Sequence, residues 1–328
     1  MKKIVSNILK VGLPLTIAAT ILWWMYRGFD WTIITDALSG GMDWSWMLLS
    51  LPFGVTAQVF RGLRWKQALE PLGEHPRSKT CLNSIFLSYG SSLVVPRVGE
   101  FLRCAVLKRY DGVSFSRSMG TVVTERCIDI FIILMLSAAT VLLEIPVFTR
   151  IANETGLSLS DKLSAFTTTG YLVTAACLLL IVVAGWWMSH KLHIFRRTRA
   201  VVKDLRDGLT SIRHIRRGWL FVLYSLGIWV SYFFHFYLTF YAFDYTQELG
   251  IEVALVAFVV GTFAVLVPTP NGAGPWHFAV KTVLVLYGVG QDDAVAYVFI
   301  VHTIQTALVA LLGGYSCIAL SLTKRNRT

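Results

Sequence analysis

Apolar residues in this chain come in blocks. Long stretches cover 44–60, 80–95, 118–143, 166–188, 219–241, 251–267, 276–289 and 293–322, and another runs from Gly12 to Met25. Many approach the ~20 residues that an α-helix needs to cross hydrocarbon, so the pattern predicts an all-α membrane chain. Two Pro/Gly clusters break it, Val95-Pro96-Arg97-Val98-Gly99-Glu100 and Val267-Pro268-Thr269-Pro270-Asn271-Gly272-Ala273-Gly274-Pro275. Residues 31–43 are too short and polar to cross and are expected at the interface, where Trp31, Trp44 and Trp46 suit an aromatic belt. Lys2-Lys3 and the first apolar run resemble a signal peptide. Bulky Trp23-Trp24-Met25-Tyr26-Arg27 offers no small-residue cleavage site, so an uncleaved anchor with its N-terminus inside is expected.

Composition agrees: 55% of the 328 residues are hydrophobic and 15% charged, with a mean hydropathy of +0.60. Soluble domains carry about a quarter charged residues. The membrane segments leave no stretch for a soluble catalytic domain. The net charge of +11, from 30 Lys+Arg against 19 Asp+Glu, would suggest nucleic acid in a soluble chain. In a membrane chain it asks instead which side the basic residues occupy. The five cysteines, Cys81, Cys104, Cys127, Cys177 and Cys317, lie in apolar segments or beside basic ones, which argues against a disulfide framework.

If every stretch crossed, the basic connections would alternate sides. Treating 80–110 and 251–289 as re-entrant hairpins removes the conflict. Segments 1–10, 61–79, 97–117, 189–218 and 324–327 then face or border the cytoplasm with 25 of the 30 Lys/Arg, against Arg27, Arg150 and Lys162 opposite. Both termini are expected in the cytoplasm of a cell whose membrane the chain spans several times. The basic segment 189–218 is expected to be a helix lying on anionic headgroups.

The expected architecture is a polytopic bundle of about six spanning helices plus two oppositely oriented re-entrant hairpins. Its parts are 1–43 (anchor and interfacial segment), 44–143 (first repeat, hairpin 80–110), 144–218 (connection) and 219–322 (second repeat, hairpin 251–289). Inverted repeats with paired broken helices are a transporter architecture, with the substrate site where the breaks meet. The alternative is Pro/Gly kinks in ordinary spanning helices.

Charges inside apolar segments mark candidate chemistry. Arg97, Glu100 and Arg103 recur every third residue, so on a helix starting at Pro96 they share a face and Glu100 can bridge both arginines. Pro96 is read in the first turn of that half-helix, whose N-terminal end adds partial positive charge. Further along, Glu125 and Asp129 stack at i,i+4 while Arg126 and Asp129 pair at i,i+3. Six such groups facing lipid would cost on the order of 15–20 kcal/mol, so they must face each other, water or a ligand. They form either a polar cavity or a structural ion-pair network.

The second break adds Asn271, Gly272 and Gly274, the composition of an anion-holding turn, then His277 and Lys281 on one helical face. His235 and His302 are expected to be hydrogen-bonded core residues. No metal-ligand spacing, phosphate-binding loop or nucleophile elbow is present, so neither an enzyme nor a cofactor is expected.

Together, Pro96-Arg97-Val98-Gly99-Glu100-Phe101-Leu102-Arg103, Glu125-Arg126-x-x-Asp129 and Pro268-Thr269-Pro270-Asn271-Gly272-Ala273-Gly274 resemble the lysylphosphatidylglycerol-synthase transmembrane family, over about 44–322. The resemblance implies lipid translocation. In the bifunctional synthases the membrane domain moves aminoacylated phosphatidylglycerol between leaflets and a cytoplasmic domain supplies aminoacyl transfer. That transferase is not expected here. The chain departs from the family at the second break, which commonly reads Pro-Gly-Gly-x-Gly with a Glu three residues later. Here Asn271 replaces the first Gly and His277 stands at the Glu position.

The expected function is translocation of an anionic phospholipid or a lipid-linked polyprenyl phosphate. Arg97, Arg103 and the half-helix N-termini would hold the phosphate, and Glu100, Glu125 and Asp129 would balance or gate them. A homo-oligomer is possible and nucleic acid is not an expected partner. The alternatives are a secondary transporter of a small anionic solute, or an enzyme acting on lipid-linked groups with Glu100 or His277 as base.

Overall fold

Helices account for every regular element in the computed structural model, which describes residues 16, 18–154, 215–267 and 269–324. The expected spanning segment 166–188, Cys177, Lys162, Pro268, the start of the anchor and all but the last four residues of the basic segment 189–218 lie outside the described residues.

Helix α1 is described over 18–26. The interfacial stretch then turns helically at Thr32–Asp36 and Ala37–Gly41. Thr32 starts that turn by donating both its N–H (3.0 Å) and its hydroxyl (2.7 Å) to Asp30 Oδ1. These bonds hold the exposed Asp30 carboxyl below its ordinary range. Asp43 caps helix α2 (Trp44–Leu69) by accepting the Ser45 N–H at 2.7 Å. The apolar run in α2 ends near residue 60, but the helix continues for nine residues beyond it, to the Pro71 turn and the left-handed Gly73. Arg61 and Arg64, expected at the inner end of a helix over 44–65 and counted among the residues that face or border the cytoplasm, are instead buried.

Next come α3 (Ser78–Ser92) and α4 (Val98–Asp111), packed on one another as a hairpin, and then α5 (Phe115–Glu154). The expected 144–165 loop is helical as far as Glu154. Helix α4 starts at Val98, not at Pro96, because Arg97 adopts a left-handed conformation (φ 63°) ahead of it. Pro96 belongs to the break.

The second half repeats the order. Helix α6 (Gly218–Tyr237) runs on through a tighter turn to Ala242; α7 (Gly250–Ala264) and α8 (Pro275–Leu286) form a packed pair, and α9 (Gln291–Ser321) follows. Segments Gly218–Ala242 and Gln291–Ser321 are long and apolar enough by composition to cross a membrane. Helices α2 and α5, of 26 and 40 residues, are long enough but carry the internal charges. The order helix, hairpin, helix thus occurs twice among the described residues.

Each half has an apolar centre. Trp65, Leu69, Ile85, Leu107 and Val122 pack in the first, and Phe236, Phe240, Leu284, Tyr297 and Val301 in the second. Tyr297 is fully buried and its hydroxyl is shared with Thr239 at 2.6 Å. The halves meet along α2 and α6, where His235 and Phe60 rest on Gly54 and Gly227, and again where α3 crosses α9, with Gly90 against Gly313: a Cβ on either of these would come within 2.9 Å of the other's Cα. Inside the first hairpin, a Cβ on Gly99 would lie 2.0 Å from the Ser88 carbonyl oxygen.

Backbone cannot yield there as a side chain could. Gly99→Ala is expected to destabilise the protein by about 3 kcal/mol, whereas Gly314→Ala, with nothing within 4 Å, should be neutral or slightly stabilising. Thermal unfolding of the detergent-solubilised chain reads both, and equal melting temperatures would show that the hairpin arms are not so closely pressed.

Candidate functional site

The charged residues of α2, α4 and α5 converge on one buried network. Asp129 accepts Arg61 Nη1 and Arg64 Nη2, each at 2.8 Å. Arg64 also lies 3.5 Å from Glu125, whose other oxygen is 3.0 Å from Arg103. These five groups are buried. At the open edge Arg126 sits 3.4 Å from both Glu100 and Asp129. The i,i+3 pairing of Arg126 with Asp129 is therefore present.

Helical register explains the assembly. Arg61 and Arg64 are one turn apart on α2, as are Glu125 and Asp129 on α5, so two cations meet two carboxylates across one helix contact. Aromatic faces complete the surroundings. The Arg103 guanidinium lies 4.6 Å from the centroid of Trp65, whose N–H donates to Thr121 at 2.9 Å. Arg61 lies between the rings of Tyr89 and Tyr232, at 6.0 and 5.9 Å, and Tyr232 donates to the Tyr89 hydroxyl at 3.0 Å.

The two buried carboxylates are held differently. Asp129 accepts two directed hydrogen bonds. Among the described residues neither Glu125 oxygen has a hydrogen-bond partner, and Arg103 Nε and Nη2 have none either, so that pair rests on charge alone. Three buried cations face two buried carboxylates, and the Arg126–Glu100 pair leaves that balance unchanged. Among the described residues the network keeps one positive charge in excess.

Glu100 does not bridge Arg97 and Arg103 as the three-residue spacing suggests. It turns to Arg126, Arg103 turns inward to Glu125, and Arg97 donates to the Leu266 carbonyl at 2.8 Å. The left-handed start of α4 turns Arg97 away from the other two. Leu266 follows α7, so this bond joins the two hairpin tips. Arg97 is exposed, and its other nitrogens have no partner among the described residues.

Residues of the second break form a separate cluster. The amides of Gly272, Ala273 and Gly274 bond to Thr269 O, Pro270 O and His277 Nδ1, at 3.3, 2.9 and 3.3 Å. They are not free for the anion-holding role expected of the turn. The glycines have a steric reason instead: a Cβ on Gly272 would come within 2.8 Å of Val265, and one on Gly274 within 3.2 Å of Ala18. His277 is buried and caps α8, the task a Glu performs at that position of a capping box. The imidazole keeps the cap without burying a carboxylate.

His302 donates from Nε2 to the Asn271 carbonyl at 3.1 Å, and Asn271 Nδ2 donates to Thr306 at 2.7 Å. The His277 and His302 rings lie 4.3 Å apart. His235 donates to the Ser50 carbonyl at 2.8 Å and packs on Gly54, so His235 and His302 are the hydrogen-bonded core residues expected. Lys281 is half-buried with no ion-pair partner among the described residues.

Arg61 and Arg64 are not marked as site residues by sequence because they follow an apolar stretch, where basic residues read as a cytoplasmic flank. Their spacing of three, continued by Trp65, was the available signal. In soluble proteins buried charges lie beneath a polar surface; here Val123, Ile130, Leu134, Leu223, Leu226 and Ile318 are exposed.

A helical assembly that is polar at its centre and apolar outside is an integral membrane protein. More narrowly, the chain belongs to the lysylphosphatidylglycerol synthase TM region family, whose profile matches residues 11–313. A similar relative is a UPF0104 membrane protein of Methanothermobacter thermautotrophicus, 24% identical over 308 residues and covering 84% of each chain. No solved structure matches.

Losing one member of the buried set strands the rest. Asp129→Ala is expected to cost about 3–5 kcal/mol by leaving Arg61 and Arg64 unpaired, while Glu100→Gln, at the open edge, should cost less than about 1 kcal/mol. Unfolding midpoints in detergent compare them, and similar small losses would mean that the Asp129 clamp does not hold the core.

Proposed function

We propose that this protein translocates an anionic phospholipid, or a lipid-linked polyprenyl phosphate, between membrane leaflets without chemically altering it. One observation carries the reading: the buried network is one cation in excess, with unpartnered nitrogens on Arg103. An uncompensated buried charge is costly, and an anionic ligand supplies the missing partner. Arg97, beside the N-terminus of α4, adds a second guanidinium with donors to spare.

In this mechanism the Asp129 clamp is fixed scaffold and Glu125 is the exchangeable counter-ion. The lipid phosphate takes Arg103 from Glu125 and engages Arg97, whose bond to Leu266 opens as it does so. Glu100 and Arg126 close the edge, while the second break, with Asn271, Gly272, Gly274 and His277, acts as a hinge rather than as a phosphate site. Lys281 serves the headgroup on that side.

The repeated helix, hairpin, helix order supports two units, at 44–143 and 219–322, and the sides inferred from the basic residues give their re-entrant hairpins opposite orientations within about six spans. The charge bias supports cytoplasmic termini in the cell membrane. It survives reassigning Arg61 and Arg64, because the remaining basic segments still outnumber Arg27, Arg150 and Lys162 several-fold.

Reconstitution tests the proposal. Liposomes containing the purified chain should move labelled phosphatidylglycerol or a polyprenyl phosphate between leaflets. The Arg97→Ala/Arg103→Ala variant should lose that movement while inserting normally. Normal movement in this variant would sink the site assignment, and uptake of a soluble anion instead of lipid would replace the translocase with a solute transporter.

A further inference from the structure

Helix α5 presents an exposed apolar stripe, Val123, Ile130 and Leu134, at helical spacing. Arg126 falls inside it, with its side chain 40% exposed, and Glu100 beside it is 36% exposed. Phe101, exposed on α4, continues the apolar surface. A guanidinium standing on an exposed apolar stripe of a membrane protein is unusual and points to a functional contact.

Arg126 is also weakly held. Its approaches to Glu100 and Asp129 are both 3.4 Å, its Nε lacks a hydrogen-bond partner among the described residues, and Asp129 already accepts Arg61 and Arg64 at 2.8 Å. One end of the side chain therefore lies open at the surface while the other touches the buried network.

Building on the translocation reading, we propose that the α4–α5 surface at Arg126 and Glu100 is a lateral portal for an anionic glycerophospholipid. The phosphate diester displaces Glu100 from Arg126, and the acyl chains lie along Val123, Ile130 and Phe101. Charge complementarity selects the occupant, because the network one step inward carries an uncancelled positive charge that a net-anionic lipid neutralises. A zwitterionic lipid brings its own cation. Glu100 acts as a gate that competes with the phosphate, so its removal should favour binding.

Native mass spectrometry tests this on the full chain in micelles containing equimolar phosphatidylglycerol and phosphatidylcholine. Arg126→Gln should lower retained phosphatidylglycerol by about two- to fivefold relative to phosphatidylcholine, the scale of one partly exposed charged contact. Glu100→Gln should raise it, a gain that damaged folding would not produce. Arg109→Gln, an exposed arginine in the last turn of α4, serves as the control and should change nothing.

Retention that ignores Arg126 and Glu100, falls equally for both lipids, or falls equally in the Arg109 control overturns the portal. If translocation still requires Arg97 and Arg103 in that case, the function stands without this entrance. Selective retention through Arg126 in a chain that moves no lipid would instead remove the translocation reading.

Discussion

Asp129 sits between two guanidiniums from a single helix, each donating to a different carboxylate oxygen at 2.8 Å. Helices α2 and α5 each carry charges that hydrocarbon would reject if either stood alone. Only the pairing of one with the other makes both tolerable. That pairing fixes their rotation and register, and it positions Trp65 to receive Arg103 from α4. The first hairpin is thus tied to the two long helices through ionic contacts as well as apolar packing.

The same network explains why only some charged contacts are suited to exchange. A carboxylate with two directed bonds is a poor candidate for displacement, and Asp129 belongs to the scaffold. Glu125 and Arg103 are close without being aligned, and Arg126 hangs between partners at longer range. In the proposed mechanism, therefore, the moving parts are the groups with the poorest geometry.

Much of this was legible in the sequence. Block apolarity placed the helices, and the Pro/Gly clusters placed both breaks. Glu125, Arg126 and Asp129 stood out because their neighbours are apolar. Arg61 and Arg64 did not, since hydropathy falls before helix α2 does and basic residues just past an apolar stretch read as a cytoplasmic flank. The orientation of Arg97 was hidden as well: a left-handed residue at a helix start defeats any prediction from spacing. At the second break, composition suggested free amides, but which carbonyls those amides meet is a property of the turn, not of its residue types.

The crossing of α3 over α9 at Gly90 and Gly313 has a mechanical side. Most helix contacts interlock side chains, so sliding or turning one past the other means lifting ridges out of grooves. Here bare backbone rests on bare backbone, and there is nothing to lift. At this crossing the two helices share a bearing, a backbone contact with no teeth, while between α2 and α6 the Phe60 and His235 rings seated on Gly227 and Gly54 act as the pins that keep the halves in register.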